Sequence, residues 1–149
     1  EKDIWNEAHW QKWYQKLESH SLPLQRRPQA HIEVGAPPIK TKHGWLILYH
    51  AMDKTDPNRY KLGAMILDKD DPIKVLYRSK KPILEPDESY ENEGHKAGVV
   101  YSCGAVVIKN KLFVYYGGAD TVVCVATADL ETFLNTLMQT QEPKLKRIR

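Results

Sequence analysis

Four polar side chains crowd one short stretch of this sequence. His31, Glu33, Lys40 and His50 lie on either side of the turn Gly35-Ala36-Pro37-Pro38, and proline, by fixing φ, holds polar neighbours in place at little entropic cost. Imidazoles, a carboxylate and an ammonium held in this way suit a binding site. Lys42 and His43, just before Gly44, read as a solvated hairpin tip, to which Lys40 can also belong. His50 differs, because it ends the apolar run Trp45-Leu46-Ile47-Leu48-Tyr49 and is drawn towards an interior or a channel. A structural histidine and a ligand-binding one are both open there.

A further candidate is Asp120, a lone carboxylate in Tyr115-Tyr116-Gly117-Gly118-Ala119-Asp120-Thr121, between two apolar runs. It reads either as a turn residue capping its own backbone or as a fixed acceptor for sugar hydroxyls. Segment 85–93 places five carboxylates in nine residues, too dense for all to be buried, so most are expected to face solvent. No metal-ligand spacing, phosphate-binding glycine loop, Gly-x-Ser-x-Gly elbow or cysteine–histidine nucleophile arrangement occurs. No metal site is expected, and no catalytic residue is named.

The elements that position these residues come from a chain of 149 residues, 42% hydrophobic and 28% charged. That suffices for one domain or a piece of a larger one. The net charge of +3 arises from 22 basic and 19 acidic residues. Setting aside Lys144, Lys146, Arg147 and Arg149 leaves 18 against 19, so the body is near neutral and the basic tail reads as a solvated terminus. Neither a nucleic-acid nor a membrane partner is expected, since no apolar stretch approaches the roughly 18 residues of a span. Cys103 and Cys124 lie in strand-like apolar runs and read as free buried thiols. With no signal peptide or Cys-x-x-Cys pair, a reducing, cytoplasmic location follows. The chain opens on Glu1, which fits a processed or partial chain.

Trp10, Trp13, Tyr14 and Leu17 recur at three and four residues and predict an amphipathic helix over residues 1–18, followed by a connector over 19–29. Short aromatic and aliphatic strands follow over 45–50, 60–67 and 74–78, with turns at Asp56-Pro57-Asn58 and Asp70-Asp71-Pro72. A second set covers 99–108, 112–116 and 121–127, with Lys109-Asn110-Lys111 as a tight hairpin and Gly117-Gly118 as a turn. Leu130, Phe133, Leu134, Leu137 and Met138 predict a last helix with Asp129 as its N-cap. The two strand clusters begin about fifty residues apart, a period that suits propeller blades; a β-sandwich could absorb the same strands.

Several ordered motifs make this chain resemble glycoside hydrolase family 130, the β-mannoside phosphorylases and β-mannosidases. They are Gly35-Ala-Pro-Pro-Ile-Lys-Thr-Lys-His-Gly-Trp-Leu-Ile-Leu-Tyr-His50, Tyr60-Lys-Leu-Gly-Ala-Met-Ile-Leu-Asp68 with Asp71-Pro72, Pro82-Ile-Leu-Glu-Pro86, Tyr90-Glu91, Cys103-Gly-Ala-Val106 and Tyr115-Tyr-Gly-Gly-Ala-Asp-Thr121. The resemblance covers about residues 31–134. It implies an all-β fold with flanking helices, about two blades of a five-bladed β-propeller whose funnel binds a β-mannoside. Residues 1–30 would be the N-terminal helix and connector, 31–140 the partial propeller with its C-terminal helix, and 141–149 the basic tail.

The implied reaction is inverting phosphorolysis, in which an acid protonates the glycosidic oxygen while inorganic phosphate, a co-substrate rather than a cofactor, attacks from the opposite face. By motif position the phosphate side includes His50 and Tyr60 and the mannosyl side Asp120; His31 and Lys40 are further candidates for phosphate, and Glu33 for the substrate. His31 falls where the family has a phosphate-binding lysine, and Glu33 beside it would repel an anion. The family's Tyr-His-Gly reads Tyr49-His50-Ala51, and its Asn-Val-Val-Phe-Pro-Cys-Gly reads Gly98-Val-Val-Tyr-Ser-Cys-Gly104. A mannosidase using water, or a non-catalytic carbohydrate-binding or scaffold propeller fragment, therefore competes with the phosphorylase reading. The family's general acid belongs to its N-terminal half, and no matching motif precedes residue 31. Two blades alone would expose strand edges, so association with the missing blades or with another copy is expected.

Overall fold

Antiparallel strands dominate the computed structural model, which describes residues 29–148 together with Ala8 and Gln11; the side chains of residues 29–31 and 53 are not part of that description. The helix and connector expected over residues 1–29 therefore lie almost wholly outside the described residues. The first sheet runs β1 (Gln29–Val34), β3 (Gly44–Asp53), β4 (Asp56–Leu67) and β5 (Val75–Arg78), with β2 (Ile39–Thr41) also paired to β3. The second runs β6 (Val100–Ile108), β7 (Lys111–Gly118), β8 (Val122–Asp129) and β9 (Lys146–Arg147). Two helices accompany them among the described residues, α1 (Ser89–Asn92) and α2 (Leu130–Met138).

Strand alternation explains how the sheets meet. On β3 the even positions Leu46, Leu48 and His50 turn to one side, and the first two join a core shared with Leu62, Ala64 and Ile66 of β4, Val100 of β6, Leu112 and Val114 of β7 and Phe133 and Leu134 of α2. Burying each such leucine contributes roughly 2 kcal/mol. The odd positions Ile47 and Tyr49 pack on the other side with Met65 and Leu67. His50 is the polar end of a hydrophobic row, at one edge of the shared core. Neither sheet closes into a barrel. No helix among the described residues is long and apolar enough to cross a membrane.

The local signals that came true are short-range ones. The tight hairpin expected at Lys109-Asn110-Lys111 is present, its turn being Lys109 and Asn110 at positive φ with Lys111 already paired to Ile108, and the Asp129 carboxylate caps α2 by accepting from the Thr132 amide. Other expectations require correction. Asp56-Pro57-Asn58 opens β4, and the turn lies at Lys54-Thr55, because Asp53 pairs with Asp56. Gly117 and Gly118 pair with Val123 and Val122, so they end a strand, and the chain reverses at Ala119 and Asp120, both at positive φ. Cys103 is exposed and Cys124 half-buried, both free, rather than two buried thiols. The basic tail does not fray: Lys146 and Arg147 pair with β8, Leu145 is buried and the Lys144 ammonium donates to the Pro82 carbonyl.

Candidate functional site

At the polar end of the shared core, four segments bring ionisable and aromatic side chains together. The β1–β3 register sets Glu33 directly opposite His50. Tyr60 stands on β4, whose backbone meets the second sheet there, with the Tyr60 amide donating to the Gly98 carbonyl at 2.9 Å. Tyr101, on β6, touches them all. Its ring stacks on His50 with centroids 3.9 Å apart and planes 14° from parallel, and lies 6.0 Å from the ring of Tyr60. Its hydroxyl donates to Glu33 Oε2 at 3.1 Å.

His50 is fully buried, and the Ser102 amide donates to its Nε2 at 2.7 Å. An amide has only a proton to give, so Nε2 is the bare acceptor and Nδ1 carries the ring proton. That Nδ1 has no hydrogen-bond partner among the described residues, and neither does the buried Ser102 Oγ. Burial pushes the imidazole pKa down to about 4, with the Glu33 carboxylate pulling the other way. His50 is therefore a neutral donor at physiological pH. Burial, reinforced by the Glu33 carboxylate, raises the Tyr101 phenol, which stays protonated. Gly35 makes this packing possible, because a Cβ there would lie 2.2 Å from the Ser102 carbonyl and 2.3 Å from His50 Cε1.

A cavity of about 270 Å³ opens here, lined by Tyr60, Lys96, Val99, Tyr101 and Asp120. Lys96 Nζ sits 4.4 Å from the centroid of the Tyr60 ring. Asp120 reaches the cavity from the β7–β8 turn, so its turn conformation and its exposure to a ligand are compatible. Larger open space exists elsewhere, a groove of about 630 Å³ beside α2 that includes Lys109, Lys111, Asp129 and Lys144. Its Asp129 is the cap of α2 and its Lys144 is tied to Pro82. The smaller cavity is where acceptors, donors and aromatic faces converge, and these suit a small hydroxylated or anionic ligand.

Of the residues singled out in the sequence, Glu33, His50, Tyr60 and Asp120 are gathered around Tyr101 and this cavity. Lys40 is not. It pairs with Trp45, five residues along β3 from His50, a separation of roughly 16 Å in an extended strand. The backbone of His31, on β1, lies opposite Met52 of β3, and its side chain is outside the described residues. Tyr101 and Lys96 carried no signal that set them apart: the first sat inside a recognised motif, the second in a polar loop.

A sequence profile described as β-1,4-mannooligosaccharide phosphorylase matches residues 6–139. A 1,2-β-oligomannan phosphorylase of Thermoanaerobacter sp. (strain X514) is 52% identical over 102 residues, 68% of this chain and 34% of that protein. A β-1,2-mannobiose phosphorylase of Listeria innocua serovar 6a is 47% identical over 103 residues, 69% of this chain and 28% of that protein. The solved structure of the β-1,2-mannobiose phosphorylase from Listeria innocua in complex with β-1,2-mannobiose superposes with a TM-score of 0.69 at 39% identity, covering 78% of this chain and 33% of that one. The chain thus spans about a third of the length of the curated relatives it matches.

Proposed function

The chain belongs to glycoside hydrolase family 130, and from that premise we propose that it forms the phosphate-side and mannose-binding part of a β-mannoside phosphorylase. The observation that carries this reading is the convergence of Glu33, His50, Tyr60 and Asp120, from separate segments, around the ring of Tyr101 and one small cavity. In phosphorolysis a phosphate oxygen bonds to the anomeric carbon as the bond to the leaving oxygen breaks. The leaving oxygen takes a proton from a general acid, and mannose 1-phosphate is released. No residue of this chain is assigned as that acid.

His50 and Tyr60 are read as phosphate contacts, with His31, two residues before Glu33 on β1, as a further one; Lys40 is left out on distance. The His50 Nδ1 proton needs an acceptor, and an oxyanion supplies one. Asp120 and Glu33 are read as acceptors for mannosyl hydroxyls. We take the two sheets as neighbouring blades of a five-bladed ring, completed by further blades or by another copy. The unpaired thiols of Cys103 and Cys124 fit the reducing cytoplasm expected for such an enzyme.

The test is product analysis with β-1,2-mannobiose and the protein that carries this chain. Mannose 1-phosphate formed only when phosphate is present is the expected result. Free mannose formed without phosphate would assign hydrolysis instead, and no turnover under either condition would favour a binding or scaffold module.

A further inference from the structure

The phosphorylase reading leaves the cavity short of positive charge. His50 is neutral, Glu33 faces it across the β1–β3 pair, and Asp120 lines the wall. A phosphate ion entering such a space meets the Asp120 carboxylate in the wall, with Glu33 behind Tyr101, and that repulsion must be offset by a cation close at hand. Among the described residues Lys96 is the cationic side chain that lines the cavity.

The backbone around Lys96 is fixed from several directions. Its own amide donates to the Ala119 carbonyl at 3.0 Å, in the same turn as Asp120. One residue earlier, the His95 amide donates to Thr121 Oγ1 at 2.9 Å. Two residues later, Gly98 donates to the Glu91 carbonyl and accepts from the Tyr60 amide. Gly98 holds a φ of +76° that suits glycine, which lets the loop turn back beneath Tyr60. The ammonium rests over the Tyr60 ring and belongs to no ion pair among the described residues. An aromatic face stabilises a cation without neutralising it, so the charge stays available to a ligand.

We propose that Lys96 is the cationic contact for the phosphate co-substrate and a specificity residue that favours an anion over water in this cavity. The inference rests on the phosphorylase reading but concerns one side chain, so the two can fail separately. In it, Tyr60 orients the ammonium from below and Asp120 stays on the sugar side.

Calorimetric titration of the protein with inorganic phosphate, and separately with mannose, tests both. Wild type, Lys96→Met and Lys96→Arg are compared after thermal melts show that each is folded. The expected result is phosphate affinity about tenfold or more weaker in Lys96→Met, affinity kept within about threefold in Lys96→Arg, and mannose binding unchanged in both. Phosphate binding as tight in Lys96→Met as in wild type would overturn the role of Lys96 and leave the phosphorylase reading standing. Equal losses for phosphate and mannose would make Lys96 a structural residue and overturn the proposal. Wild type that binds neither ligand would remove the reading beneath it.

Discussion

Two polar clusters lie within the same pair of sheets, and they are built on opposite rules. Around Glu91, which is fully buried, each carboxylate oxygen is engaged: Oε1 accepts from the Tyr116 hydroxyl and from Arg147 Nε, both at 2.8 Å, and Oε2 accepts from Arg147 Nη2 at 2.7 Å and the Glu88 amide at 3.0 Å. Around His50, by contrast, a buried Nδ1 and a buried serine hydroxyl have no partner among the described residues, and the Tyr101 ring stacked on His50 lines an open cavity. A buried polar group without a partner costs about 1–3 kcal/mol. The first cluster has no such deficit and serves to hold the fold. The second keeps its deficit, which a ligand can relieve.

The clusters are also joined in sequence order. The Glu91 carbonyl accepts from the amides of Gly98 and Val99, so the ionic cluster anchors the loop that carries Lys96 and the strand that carries Tyr101. Structure on one side thus sets geometry on the other.

The largest effect is expected where that anchor is cut. Burial alone would raise the Glu91 carboxyl, but Arg147, the Glu88 amide and the Tyr116 hydroxyl outweigh it and hold the group below the ordinary carboxylate range. Replacing Arg147 by Met leaves a buried charge without its cation, and about 3 kcal/mol of stability should be lost, read by urea denaturation at neutral pH. Because the folded pKa is depressed, the contribution is present above the unfolded value and disappears as pH falls through the folded one. The acid slope of stability below the ordinary glutamate value of about 4.5 should therefore be shallower in R147M than in wild type. A loss under about 1 kcal/mol would mean that the tail is dispensable and that the contrast between the clusters is false.

His50 gives the next effect, with the opposite chemistry. Its folded pKa is pushed down to about 4 from 6.5, so between those values the unfolded chain binds a proton that the folded one does not. Stability should fall as pH drops from 6.5 towards 4, and be level above 6.5 as far as this residue is concerned. In His50→Asn the part of that slope between pH 6.5 and 5, before carboxylates dominate, should be missing, measured as the difference between two denaturation series. Equal slopes in the two proteins would show that His50 is not held neutral.

What the sequence made legible was whatever local pattern decides. Short aromatic and aliphatic runs bounded by turn residues marked the strands over 45–50, 60–67 and 112–116, and the 3.6-residue rhythm with Asp129 marked α2. His50 was visible as a polar end to an apolar run, and Asp120 as a carboxylate between two strands. Features set by distant partners were not legible. Arg147 lies 56 residues from Glu91, so nothing nearby distinguished it from the solvated lysines around it. Glu91 looked like one of five loop carboxylates, although it is the one sealed in the core. Tyr101 gains its importance from Glu33, 68 residues away, and no window along the chain contains both.

The smallest effect concerns the residue that links the cavity's groups. Tyr101→Phe keeps the ring on His50 and removes a single hydroxyl from a site that is 37% exposed. Its hydrogen bond to Glu33 competes with water, so a stability loss of about 0.5–1 kcal/mol is expected in urea melts. The more informative reading is the tautomer of His50, followed by nitrogen chemical shifts. If the cavity is a set of groups placed separately, the Ser102 amide alone fixes Nε2 as the acceptor, and the phenylalanine variant keeps the proton on Nδ1. A change of tautomer, or a loss near that of R147M, would mean that Glu33, Tyr101 and His50 act as one closed network. The cavity would then be a second structural cluster like that of Glu91, and its unpartnered atoms would no longer point to a ligand.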